Sequence, residues 1–212
     1  MQDIIRIENL SKKFGDVMVL ENINLNFEQG KIYGIVGRNG SGKTVLFKLM
    51  IGYLKPTGGR VVVCGKEIGK DKDFADNIGI IIENPGFLNG YTGYKNLEYL
   101  ASIRHVIGRE EIRESMKKAG LDPDSSKKVG KYSLGMKQRL GIAQAIMENP
   151  EILILDEPMN GLDHQGVADV REILMRLRDE GKTIILASHN KEDIEILCDA
   201  VYEMDRGRLE GA

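Results

Sequence analysis

The run Gly37-Arg38-Asn39-Gly40-Ser41-Gly42-Lys43-Thr44 sets three glycines, a lysine and a hydroxyl at the spacing of a phosphate-binding loop. The glycines let the backbone curl until successive N–H groups point inward, and a helix starting behind the loop adds its positive end. A polyphosphate fits such a nest, held by the loop from Gly37 through Asn39, Gly40, Ser41 and Gly42. Lys43 would reach the β and γ phosphates, and the Thr44 hydroxyl would hold Mg²⁺ beside them. A second constellation is Ile152-Leu153-Ile154-Leu155-Asp156-Glu157, an apolar run that ends in two acids. Asp156 suits Mg²⁺, through water, and Glu157 is placed to orient or deprotonate an attacking water.

These residues need rigid supports, and the sequence around them supplies candidates. An apolar strand, Lys31 to Val36, precedes the loop and a helical run, Val45 to Tyr53, follows it. The segment ending at Asp156 reads as a parallel strand buried on both faces, with its carboxyl end at a ligand crevice. A helix carrying Val167, Val170, Leu174 and Leu177 on one side and a strand Thr183 to Ala187 complete a βαβ unit, so a parallel sheet is expected. Other strands are predicted at Ile4 to Leu10, Val17 to Phe27 and Arg60 to Cys64, which makes the first third β-rich. Between about Gly86 and Pro150 the pattern turns helical. Tyr94, Leu97 and Ala101 share a face, Ile112 and Met116 lie four apart, Gly120 is a C-cap candidate, and Ser133 caps a helix running through Met147.

The 212 residues carry 30 Lys plus Arg against 32 Asp plus Glu, a formal charge of −2, which argues against a nucleic-acid binder held by counterion release. With 42% hydrophobic and 29% charged residues the chain can build a core, and its length suits one domain, or one domain plus a subdomain. No uncharged apolar stretch approaches the roughly 20 residues that span a bilayer. Asp3, Arg6 and Glu8 break any secretory apolar segment, so a cytoplasmic chain is expected. Cys64 and Cys198 are read as small buried hydrophobes that form neither a metal site nor a disulfide.

Two short matches suggest guanine nucleotides: Asp163-His164-Gln165-Gly166 fits DxxG and Asn190-Lys191-Glu192-Asp193 fits NKxD. In a GTPase the first aspartate ends an apolar strand. Asp163 instead lies seven residues beyond Asp156, and Met159 stands where the glycine would be.

Taken together, the motifs resemble the nucleotide-binding domain of ATP-binding cassette (ABC) transporters over essentially the whole chain, Ile4 to Leu209. GRNGSGKT is similar to the Walker A loop and ILILDEP to the Walker B strand. Asn160-Gly161-Leu162-Asp163 resembles the D-loop, and Ser188-His189 the switch histidine. The resemblance implies an α/β fold of the P-loop NTPase type in one domain over 1–212. Its parallel core sheet would carry an N-terminal antiparallel β subdomain and, over about 86–150, an inserted helical signature subdomain. It also implies that Phe14 stacks on adenine and that His189 contacts the γ phosphate.

Two elements depart from the family pattern. Glu83, in Ile80-Ile81-Ile82-Glu83-Asn84-Pro85, stands where the family has a glutamine that senses Mg²⁺ and water; a carboxylate there can still ligate Mg²⁺. The signature LSGGQ reads Tyr132-Ser133-Leu134-Gly135-Met136, and Ser133 and Gly135 retain an anion-facing helix start. Both spellings resemble the ATPase subunits of bacterial peptide-antibiotic exporters, of the bacitracin and lantibiotic-immunity type. The resemblance implies a head-to-tail dimer, of two copies or with a related cassette, with ATP between the chains. It further implies an integral membrane partner subunit and a position on the inner face of the cell membrane. A regulatory ATP-binding switch without transport is the alternative; a translation or DNA-repair factor is disfavoured by the single cassette and the lack of a basic patch. The suspected relatives often continue beyond Glu210-Gly211-Ala212.

Overall fold

The computed structural model describes residues 3–83 and 86–210; Asn84 and Pro85 lie outside the described residues. β1 (Asp3–Phe14) and β2 (Val17–Glu28) form a long antiparallel hairpin, joined on the other edge of β1 by β4 (Gly58–Val63) and then β5 (Lys66–Glu67). β1 runs past the expected end at Leu10 because a bulge absorbs a break in its alternation. Asn9 sits at φ 49, the register shifts between Ile7 and Leu10, and Leu10 is turned back into the core. The Asn24 side chain accepts from the Asn9 N–H at 2.8 Å and holds that bulge.

The second sheet has the order β10-β9-β3-β8-β7-β6, built from β3 (Ile32–Val36), β6 (Ile78–Ile81), β7 (Ile152–Asp156), β8 (Thr183–Ala187), β9 (Ala200–Asp205) and β10 (Arg208–Glu210). All its pairings are parallel except β9 with β10. Alternate residues feed two cores. Leu153, Leu155, Ile184 and Leu186 pack on the helical side, while Ile152, Ile154, Ile185 and Ala187 face the antiparallel sheet. This is the α/β arrangement of a P-loop NTPase, a parallel sheet joined to an antiparallel one.

The helices cover the faces. α1 (Lys43–Met50) buries Leu46, Phe47 and Met50 and ends three residues before the expected Tyr53. Gly52, at φ +88, ends it: a Cβ there would lie 2.2 Å from the Asp73 carbonyl oxygen. Between β6 and β7 come α2 (Gly93–Arg104), α3 (Arg109–Lys118) and α4 (Leu134–Ile146). α3 closes as its sequence predicts, with Gly120 at φ 71 and bonds from Gly120 N to Lys117 O (2.9 Å) and Leu121 N to Met116 O (2.8 Å). α5 (His164–Asp179) and α6 (Lys191–Leu197) flank β8 in the chain. Among the described residues no helix is long and apolar enough to cross a membrane.

The two cysteines divide. Cys198 is partly buried, and burial pushes its thiol up to about 12. Cys64 overturns the expectation of a buried residue: it is exposed, at φ 48 in the turn between β4 and β5, where the chain reverses direction and leaves no core to enter.

Candidate active site

Strand order assembles the site. β3, β8 and β7 are neighbours, so the loop after β3, the acids at the end of β7 and the Ser188-His189 pair after β8 emerge at one edge of the sheet. Asp156 lies in register with Ala187, and the Glu157 N–H donates to the Ala187 carbonyl at 3.0 Å.

Gly37 cannot carry a side chain. A Cβ would come 2.3 Å from the Met204 carbonyl oxygen and 2.8 Å from the Ser41 Oγ. Gly42 caps α1 at φ 115 without a side-chain bond, and the first turn holds no acid, so the helix start leaves its N–H groups open to an anion. Ser41 is buried, and its Oγ has no hydrogen-bond partner among the described residues. Lys43 is 7% exposed, and its ammonium donates to the Gly37 and Arg38 carbonyls at 2.7 and 3.3 Å. The Thr44 hydroxyl donates to Asp156 Oδ2 at 2.7 Å, which ties the start of α1 to the end of β7.

Beside the loop runs a groove of about 780 Å³ that collects Lys43, Thr44, Glu83, Asp156 and Glu157 with Asn39 to Gly42. That volume lies in the range of small-molecule sites. Glu157 sits at φ 51, a left-handed conformation that carries strain in a non-glycine residue and marks functional positions. Its Oε2 lies 2.9 Å from His189 Nδ1; a hydrogen bond there needs the proton on Nδ1 and leaves Nε2 free for another partner. His189 and the loop residues Gly37 to Ser41 line an adjoining cavity of about 970 Å³.

The remaining candidates lie around this centre. Glu83, at φ 60, lines the groove and accepts from the Lys48 ammonium at 2.7 Å. Phe14 is 45% exposed at the end of β1, with the Lys12 ammonium 4.9 Å above its ring, so it is not a core residue. Ser133 caps α4, its Oγ accepting from the Met136 N–H at 3.2 Å, and Gly135 follows in the first turn. Neither lines the groove of its own chain.

Six more residues line that groove: Leu134 of the signature segment, Asn160 and Gly161 of the D-loop segment, and Val19, Val45 and Gln138, which the sequence motifs do not single out. The spacing of Leu134 and Gln138, four apart on one helix face, was the available signal. The Leu134 side chain lies over Gly161, where a Cβ would meet its Cδ2 at 2.7 Å. The β9–β10 hairpin was not foreseen either. It braces the phosphate loop from behind through Gly207 N to Ser41 O at 2.9 Å.

The guanine-type matches resolve into structural roles. Asp163 caps α5, its Oδ1 accepting from Gly166 N at 2.8 Å, and Asn190 caps α6. Asp193 is 3% exposed and takes two bonds from the Arg171 guanidinium on α5, at 2.9 and 2.5 Å.

Among the described residues no group of three or more His, Cys, Asp or Glu could hold a metal alone. The donor set fits Mg²⁺ nonetheless. That ion keeps much of its water and uses one or two protein oxygens plus phosphates, as Thr44 and Asp156 would offer.

Known proteins agree with this geometry. The family model described as "ABC transporter" matches residues 20–160. An uncharacterized ABC transporter ATP-binding protein, YybJ of Bacillus subtilis, is 47% identical over 98% of this chain and 95% of its own length. The bacitracin transport ATP-binding protein BcrA of Enterococcus faecalis is 43% identical over 99% of this chain and 68% of its own. Among solved structures, cbiO1 of Clostridium perfringens, part of the ABC transporter complex cbiONQ, superposes with a TM-score of 0.87. It is 30% identical, over 99% of this chain and 88% of that one. A dimeric post-hydrolysis state of the cassette MJ0796, bound to ADP and Pi, gives 0.84 at 25% identity over 97% and 96%. With the Gly37–Thr44 loop, the Asp156–Glu157 pair and His189 at one sheet edge, this chain belongs to the ABC transporter family, among its ATP-binding proteins.

Proposed function

We propose that this ABC ATPase powers the export of a peptide antibiotic or drug through a separate membrane subunit, working as a dimer that closes on ATP. The observation that carries the reading is the convergence of Lys43, Thr44, Asp156 and Glu157 on one groove at the head of α1. There the open helix start and Lys43 bind the triphosphate of ATP. Thr44 and Asp156, with Glu83 beside them, would hold Mg²⁺, which neutralises phosphate charge when bound. Glu157, poised by its contact with His189, orients the attacking water and takes its proton. His189 contacts the γ phosphate, and Phe14 offers its exposed ring to the adenine.

Ser133 and Gly135 close the site from a second chain. In support, the α4 start holds no acid, and neither Ser133 nor Gly135 lines the groove of its own chain, although Leu134 between them borders it. The partner chain is a second copy or a related cassette. Closure on ATP and opening after hydrolysis, when the products repel, supply the stroke. No helix among the described residues is long and apolar enough to cross a membrane, and this reading assigns the path to a separate membrane subunit. The segment from Glu83 to Tyr94 docks on that subunit at the inner face of the cell membrane. Its described part is stiffened by Asn96, whose amide bonds Leu88 N, Leu88 O and Thr92 O at 2.7, 3.2 and 2.9 Å. The relatedness to BcrA favours transport of an antibiotic over a free regulatory switch.

The test is Glu157→Gln. The variant is expected to bind ATP as the parent does, to lose turnover, and to run as a dimer on size exclusion with ATP present. Hydrolysis at the parental rate would remove Glu157 from its role.

A further inference from the structure

The groove is short of positive charge. Three carboxylates, Glu83, Asp156 and Glu157, line it against one lysine, Lys43. A triphosphate brings further negative charge to the same space. Asp156 is tied to the Thr44 hydroxyl and Glu157 to His189, whereas Glu83 turns to a cation outside the groove lining. That cation is Lys48. It lies four residues after Thr44, one turn along α1 on the same face, and its Nζ donates to Glu83 Oε1 at 2.7 Å.

The backbone favours the same arrangement. Glu83 stands at φ 60, a left-handed conformation that L residues other than Asn and Asp seldom adopt. From there its carboxylate lies against α1. We infer that Lys48 is a positioning residue for nucleotide binding: it neutralises and holds Glu83, and so lets a carboxylate stand at a position facing the triphosphate. The inference rests on the ATPase reading of the groove.

Charge accounts for the need. Left without Lys48, Glu83 would repel the phosphates from the edge of the groove. Two unit charges about 8 Å apart at an effective dielectric of about 20 interact strongly enough to change an affinity tenfold or more. Solvent screening at a carboxylate 66% exposed cuts this to about fivefold. A neutral glutamine would not repel, and Lys48 would then be dispensable.

The experiment is a double-mutant cycle on the full chain, read as Mg·ATP affinity with a fluorescent ATP analogue at low salt. Lys48→Met is expected to weaken binding about fivefold; Glu83→Gln, which removes the acid and keeps an oxygen beside the Mg²⁺ site, sets the reference in which the same Lys48→Met change is expected to cost nothing. The double variant should bind like Glu83→Gln alone. The Lys48→Met defect should also shrink at high salt, which a packing defect would not do. Lys48 is one third exposed, and thermal unfolding of each variant checks that the fold persists. A Lys48→Met effect as large in the Glu83→Gln background as in the parent, or a Lys48→Met protein with parental affinity, would overturn the inference alone. No nucleotide binding by the parent chain would overturn the ATPase reading and the inference with it.

Discussion

Asp193→Asn separates a structural ion pair from a base-reading aspartate. Asp193 is 3% exposed, and its Oδ1 takes two bonds from Arg171, whose third donor reaches Glu192 at 3.2 Å. Removing one partner of a buried pair costs about 3–5 kcal/mol. Asparagine keeps an acceptor oxygen and Glu192 keeps a counter-charge, which sets the loss at the low end, about 3 kcal/mol. At about 2–4 °C per kcal/mol for a chain of this size, the unfolding midpoint should fall by about 6–12 °C. The α6 start would loosen just after His189, so turnover should fall as well, while competition between ATP and GTP analogues should be unchanged. The assays are scanning calorimetry and competition binding. An unmoved midpoint would refute the packing argument, and a shift in preference between purine bases would revive the guanine reading.

Two further outcomes follow from geometry. Gly37→Ala would drive a methyl to within 2.3 Å of the Met204 carbonyl, so equilibrium dialysis with Mg·ATP should show binding weakened by more than about tenfold; parental affinity would contradict the crowding. Of the two thiols, Cys64 is exposed, whereas burial raises Cys198 to about 12. Alkylation at pH 8 should therefore label one thiol in the native protein and two after denaturation; equal native labelling would contradict the burial of Cys198. Because the folded Cys198 pKa lies above its unfolded value, its neutral form stabilises the fold below about pH 8.5, and that contribution is lost as pH rises through about 12.

Much of this site was legible because its chemistry is local. The phosphate loop is eight consecutive residues, and Asp156 and Glu157 end a strand whose unbroken apolar run requires burial on both faces. The βαβ unit and the Gly120 cap were legible for the same reason. What escaped depends on distant partners. The Asn9 bulge is visible only once β2 fixes the register. Lys48 and Glu83 are separated by 35 positions, and Arg171 and Asp193 by 22. Lys48 read as an ordinary charge on a helix, and Asp193 as part of a four-residue motif. The β9–β10 hairpin is short and half-polar, and its value lies in backbone contacts to the phosphate loop that no side-chain pattern encodes.

The central claim is that one chain holds the nucleotide and another completes the site. Turnover of saturating Mg·ATP per chain, followed over serial dilution while mass photometry counts monomers and dimers, tests it most directly. The account predicts that activity per chain falls in step with the dimer fraction. Constant activity per chain in samples that are wholly monomeric would contradict it.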